Sequence, residues 1–125
     1  MIRYLTARHV VRINADLTGP GGVRDIGLIE SACMRPRATA YGEDAYPSIW
    51  EKAAALLQSL ARNHGFTDGN KRTAWTAAAA FLAVNGHPLE EPVDEDAAER
   101  FVLAVATGEV RDVPAIASEL VKFFR

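Results

Sequence analysis

The sequence predicts an all-α bundle of about six helices. Three observations carry this. Alanine, the strongest helix former, fills 22 of the 125 positions. Capping residues recur just ahead of apolar stretches with helical spacing. No run alternates apolar and polar residues as a half-buried strand would. At this length a single domain over residues 1–125 is expected, one that buries roughly two-thirds of its unfolded surface without disulfides or metal.

Each element has a local reason. Thr6 caps a helix running to about Leu17, which Thr18-Gly19-Pro20-Gly21-Gly22 closes. Asp25 caps a short helix through Cys33, stopped ahead of Pro36. Arg35 to Pro47 mixes Pro, Gly, Tyr and charges without a helical period, and is expected to be a loop or small hairpin. Ser48 with Glu51 is a capping-box signature, and Ile49, Ala53, Leu56, Leu57 and Leu60 then form the stripe of an amphipathic helix to about Asn63. His64 to Gly69 is a short loop. Asn70 to Asn85 is apolar on nearly every face and is expected to be the central buried helix, ended by Gly86 and Pro88. Asp94 caps a helix to Thr107 with Gly108 beyond it, and Asp112 caps the last helix, through Phe124.

Composition narrows the function. The formal net charge is −2, from 14 basic and 16 acidic residues, which excludes the strongly basic balance of a dedicated nucleic-acid binder. Cys33 is the sole cysteine, so neither an intrachain disulfide nor a Cys-clustered zinc site is available; a small buried helical residue is expected there. The longest nearly uncharged stretch, Thr73 to Asn85, is too short to cross a bilayer, and no signal-peptide pattern opens the chain. A soluble cytoplasmic protein without a membrane partner is expected.

One segment concentrates chemistry: His64-Gly65-Phe66-Thr67-Asp68-Gly69-Asn70-Lys71-Arg72-Thr73. A helix opens at Asn70, and a helix N-terminus offers unpaired N–H groups and a positive dipole end to an anion. Gly69 permits close backbone approach, Lys71 and Arg72 add charge suited to phosphate, and Asp68 is a hard oxygen ligand fit for Mg²⁺. His64 can take a proton near neutral pH. These are the parts of a phosphoryl- or nucleotidyl-transfer site. No P-loop, Gly-x-Gly-x-x-Gly loop or His-Arg-Asp catalytic segment is present, and His9, His64 and His87 lack zinc-binding spacing.

The segment resembles the Fic/Doc family motif His-Pro-Phe-x-Asp/Glu-Gly-Asn-Gly/Lys-Arg and departs from it at Gly65, where Pro is common. Lys71, where most Fic enzymes carry Gly, is similar to the Doc branch, the toxins of Phd–Doc toxin–antitoxin modules. Tyr4-Leu5-Thr6, Arg24 through Ala32, Tyr46-Pro47-Ser48 with Glu51-Lys52-Ala53-Ala54, and Phe81-Leu82-x-x-Asn85-Gly86 look Doc-like as well. The resemblance implies a Fic/Doc-like helical fold, with His64 as general base, Phe66 anchoring the loop in the core and Asp68 binding Mg²⁺. Gly69, Asn70, Lys71 and Arg72 would hold the phosphates of ATP.

It also implies phosphorylation of a translation factor, elongation factor Tu, with arrest of translation, and a cognate Phd-like antitoxin as partner. AMP transfer by the same site and a non-catalytic binding module are the alternatives; a base and a metal ligand argue against the latter. A loop Gly65 is expected to leave His64 usable but less rigidly held. No self-inhibitory Fic helix motif is present, so inhibition is assigned to a separate antitoxin.

Milder roles stand beside these. His9 and His87 read as helix-end charges, Asp68 as a cap of the next helix, and Arg62 as either facing the site or solvated at its helix end. Lys52 and Glu51 read as surface or capping residues. Glu90, Glu91, Asp94, Glu95, Asp96 and Glu99 read as a solvated loop and helix start. By resemblance Arg35 to Pro47 would be a flap that docks the target by strand addition, with Arg37, Tyr41 and Tyr46 as docking candidates, or else only a surface connection.

Overall fold

Five helices start on a side chain that accepts the N–H three residues on: Thr6, Asp25, Ser48, Asp94 and Asp112. In the computed structural model, which describes Met1–Arg125, they open α1 (Ala7–Thr18), α2 (Ile26–Met34), α3 (Ile49–Arg62), α5 (Glu95–Thr107) and α6 (Val113–Leu120). The sixth, α4 (Asn70–Val84), has no side-chain cap; Gly69 precedes it in the left-handed region at φ 73°. The all-α architecture is the expected one, with a single small sheet added. No helix is long and apolar enough to cross a membrane.

The central helix is α3 rather than α4. It packs against α2, α4, α5 and α6, and eight of its 14 residues are buried. Alanine hides this in the sequence, because α4 looks apolar all round; in fact it buries Thr73, Ala74, Ala77, Ala78, Phe81 and Leu82 and leaves Lys71, Arg72, Ala83 and Val84 exposed. A core of 24 buried residues joins α3 and α4 to the other helices. The last helix is also shorter than expected. After Leu120 a 3-10 turn, Val121–Phe123, carries Phe124 into extended backbone, where it pairs with Leu89. Trp75 of α4 meets both Phe123 and Phe124, so the C-terminal turn follows aromatic packing rather than helix propensity.

Arg35 to Pro47 is a 3-10 turn, Arg35–Arg37, then a hairpin of β1 (Thr39–Ala40) and β2 (Glu43–Asp44) with Thr39 facing Asp44 and Ala40 facing Glu43. Tyr41 and Gly42 make the two-residue turn at φ 55° and 81°, the conformation that matches strand twist. Lys52 corrects its expected surface placement. It is 0% exposed, and its ammonium donates to the Tyr46 carbonyl (2.6 Å), the Asp44 carboxylate (3.1 Å) and the Pro36 carbonyl (3.4 Å). A helix surface pattern cannot show this, since the acceptors arrive from the preceding segment. Glu51 does serve the cap of α3: its N–H donates to Ser48 Oγ, whose hydroxyl donates back to the Glu51 carboxylate.

Candidate active site

The loop Asn63–Gly69 joins the two principal helices, α3 and α4, and most of its backbone polar groups are engaged. Asn63, closing α3, donates to the Leu28 carbonyl and accepts the Gly65 N–H. The His64 carbonyl accepts Arg24 Nε–H at 2.7 Å, and the Gly65 carbonyl accepts the N–H groups of Arg24 and Asp25. Val23 bridges Phe66, and Thr67 N–H donates to the Gly22 carbonyl. Asn70 brackets Phe66, accepting its N–H and donating to its carbonyl, while the Phe66 ring is buried in the core. The Asp68 carbonyl accepts from Asn14 on α1.

Around Gly65 the loop backbone is tied to Asn63, Arg24 and Asp25, while the His64 side chain itself makes no bond. Gly65 is buried, and a Cβ there would lie 2.7 Å from Ile29 Cγ1, so the absence of a side chain lets the loop close onto α2. His64 takes a left-handed conformation, φ 53°, which His tolerates better than most residues and which the neighbouring bonds hold.

The side chains behave oppositely to the backbone. His64, Thr67, Asp68 and Lys71 are exposed and none makes a side-chain hydrogen bond. His64, Asp68, Gly69, Asn70 and Lys71 line one cavity of about 310 Å³, walled by Ala61, Leu103, Ala106 and Thr107. The open N–H groups of the first turn of α4 lie at this cavity, because Gly69 supplies no cap. Arg72 sits apart. It lines an adjoining cleft of about 490 Å³ with Leu17, Trp75, Glu95 and Glu99, and Lys71 and Leu103 border both spaces.

Asp68 is not the cap of α4, so its carboxylate is uncommitted. One exposed carboxylate beside a cavity with room for phosphate groups fits Mg²⁺, since that ion keeps most of its shell as water and phosphate oxygen. Asn70 reaches the cavity through its backbone, its carboxamide being occupied with Phe66.

Other residues part from their expected roles. Arg62 turns from the site toward the C-terminal end of α5, donating to the Val105 carbonyl at 3.4 Å. His9 is in the first turn of α1, not at a C-terminal end, and its Nδ1 accepts the Thr6 N–H to complete a capping box. His87 lies beyond α4, where its Nδ1–H donates to Arg125 O and its ring tilts against Trp50 at 4.8 Å. The acidic stretch is exposed as expected, with Asp94 capping α5 and Glu90 paired to Arg125.

The flap candidates line neither cavity. Arg37 lies over the Tyr4 ring at 4.5 Å, Tyr46 Oη accepts Arg35 Nε–H, and Tyr41 stands fully exposed at the hairpin tip. What the sequence reading missed is the segment Gly22–Asp25, which lies directly on the motif loop, and the buried Asn14; both act across 40 or more residues, beyond any local pattern.

Comparison with known proteins shows the family. Residues 4–82 match the model of the Fic/DOC family. The chain is 57% identical over 126 residues to Toxin Doc of Mycolicibacterium smegmatis (strain ATCC 700084 / mc(2)155), covering 98% of this chain and 95% of that one. It is 32% identical over 127 residues to Protein kinase doc of Escherichia phage P1, covering 98% and 97%.

Proposed function

The chain belongs to the Fic/Doc family, and on that premise we propose that it is a toxin of a toxin–antitoxin module that phosphorylates a Ser or Thr hydroxyl of a translation factor from Mg-ATP. The observation that carries this reading is the convergence of His64, Asp68, Lys71 and the uncapped start of α4 on one cavity. A proton acceptor, a free carboxylate, a cation and oriented N–H donors are the set phosphoryl transfer requires, and a binding surface needs no such set.

Phosphoryl transfer asks the protein mainly for position and charge. His64 accepts the hydroxyl proton as the oxygen attacks the γ-phosphorus and the bond to the β-phosphate oxygen breaks, releasing ADP. The hydrogen-bonded loop backbone carries the imidazole to the cavity. The Asp68 carboxylate would hold Mg²⁺, which would supply neutralisation of phosphate charge. The N–H groups of Asn70 and Lys71 and the Lys71 ammonium bind phosphate oxygens, with Arg72 serving from the adjoining cleft.

Lys71 sets the reaction apart from AMP transfer. Its bulk and charge fill the place where Gly would leave room, so the triphosphate lies reversed and presents its γ-phosphate to His64. Elongation factor Tu is the expected substrate, a Phd-like antitoxin the expected partner, and the cytoplasm the expected compartment. The paired experiment incubates the purified protein and elongation factor Tu with ATP labelled at the α or the γ position. Label from γ alone supports the kinase. Label from α establishes AMP transfer instead, and no label on any protein of a whole extract favours a binding module.

A further inference from the structure

Asn14 is the one polar residue buried on α1, 1% exposed, and its carboxamide is engaged on both sides. Nδ2 donates to the Asp68 carbonyl and to Thr73 Oγ1, each at 3.0 Å, and Oδ1 accepts the Thr18 hydroxyl at 3.2 Å. Two glycines admit this side chain. A Cβ on Gly22 would lie 2.7 Å from Asn14 Oδ1, and one on Gly69 would lie 3.5 Å from Nδ2 and 2.6 Å from Thr18 Cγ2. Gly22 in turn accepts the Thr67 N–H at 2.8 Å.

An aliphatic side chain would fill the same space, and burying a carboxamide is costly unless it is bonded. Its bonds go to the two sides of the loop–helix junction: Asp68 just before the cap and Thr73 in the first turn of α4. The Asp68 carboxylate makes no bond of its own, so only its backbone fixes where it points, and Asn14 holds that backbone. We propose that Asn14 is a positioning residue for phosphoryl transfer, setting the Asp68 carboxylate and the first N–H groups of α4 in register with His64. This rests on the reading of the site as a phosphoryl-transfer centre.

Asn14→Asp keeps the shape and can still accept the Thr18 and Thr73 hydroxyls, but it cannot donate to the Asp68 carbonyl. Asn14→Ala is the second variant, introducing no buried charge, and Thr18→Val is a control that leaves both Nδ2 bonds intact. The measurements are amide hydrogen exchange without nucleotide, and kcat and KM for transfer from ATP. In at least one folded Asn14 variant, exchange at Phe66–Asn70 rises about tenfold or more while α3 core amides stay unchanged. There kcat falls about tenfold or more with KM for the protein substrate nearly unchanged, and Thr18→Val matches wild type in both.

Unchanged loop exchange with unchanged kcat overturns the proposal. So does exchange that rises equally in α3 and α6, or failure of both variants to fold, since each marks a merely structural role. A wild-type protein that transfers nothing from ATP removes the phosphoryl-transfer reading instead, and the exchange data then still report whether Asn14 sets the loop.

Discussion

A Cβ placed on Gly65 falls 2.7 Å from Ile29 Cγ1, so the start of the motif loop and the middle of α2 are in contact as close as the sequence permits. The pair explains the one departure from the family motif. Proline at this position would meet Ile29 and would also remove the N–H that Gly65 donates to Asn63. Gly65→Ala is therefore expected to cost about 1–3 kcal/mol in urea unfolding, and Gly65→Pro more. Pairing Gly65→Ala with Ile29→Ala, which removes Cγ1, should cost less than the sum of the two single changes; full additivity would show that they do not share this contact.

His64 is exposed, and its side chain makes no bond within the protein, so replacing it should alter chemistry rather than fold. Asn is the better probe than Ala, because it tolerates the left-handed backbone found there. His64→Asn should leave the melting temperature close to wild type and lower kcat by about 10²–10⁴. Transfer at the wild-type rate would remove the general-base assignment.

Lys71 borders both the His64 cavity and the cleft that holds Arg72, so it stands where a nucleotide spanning the two would place charge. Lys71→Gly is expected to lose transfer of the γ-label about tenfold or more while nucleotide still binds, as calorimetry would show. Unaltered γ-transfer would detach Lys71 from the choice of phosphate.

How much of this was legible in the sequence depended on distance along the chain. Thr6, Asp25, Ser48, Asp94 and Asp112 announced their helices because a cap bonds three residues away. The motif loop was legible for the same reason, its chemistry lying within ten consecutive residues. Asn14 to Asp68 spans 54 positions and Arg24 to His64 spans 40, and no local pattern encodes such pairings. Lys52 looked solvated because its acceptors, Pro36, Asp44 and Tyr46, belong to a segment without periodicity.

Lys52 offers a stability test. Lys52→Met keeps the aliphatic stem but leaves the Tyr46 carbonyl without its close donor, for an expected loss of about 1–3 kcal/mol in chemical denaturation. Asp44→Asn should cost less, since that side chain is about half exposed at 54% and solvent replaces the lost bond. Equal costs for the two would mean the ion pair, rather than the backbone carbonyls, dominates.

Burial, and then the nearby Glu30 carboxylate, push the Cys33 thiol up from 9.0 to about 11. The folded protein thus disfavours the thiolate relative to the unfolded chain. Below pH 9 both states hold the proton and the group adds no pH dependence; from pH 9 to about 11 the unfolded state ionises first and stability declines. The difference in unfolding free energy between wild type and Cys33→Ala should shift against wild type across that window. A constant difference would contradict the raised thiol.

The Ala45 N–H donates to the Ala38 carbonyl at 2.8 Å and closes the base of the hairpin, while Lys52 grips Asp44 and Tyr46 from beneath. Everything from Thr39 to Glu43 projects past these two fastenings into solvent and has no share in the core. Such a tip is an interchangeable cassette. Sequences of equal length can be grafted between Ala38 and Asp44 without redesigning the bundle, so the face shown to other macromolecules can be changed independently of the chemistry on the loop between α3 and α4.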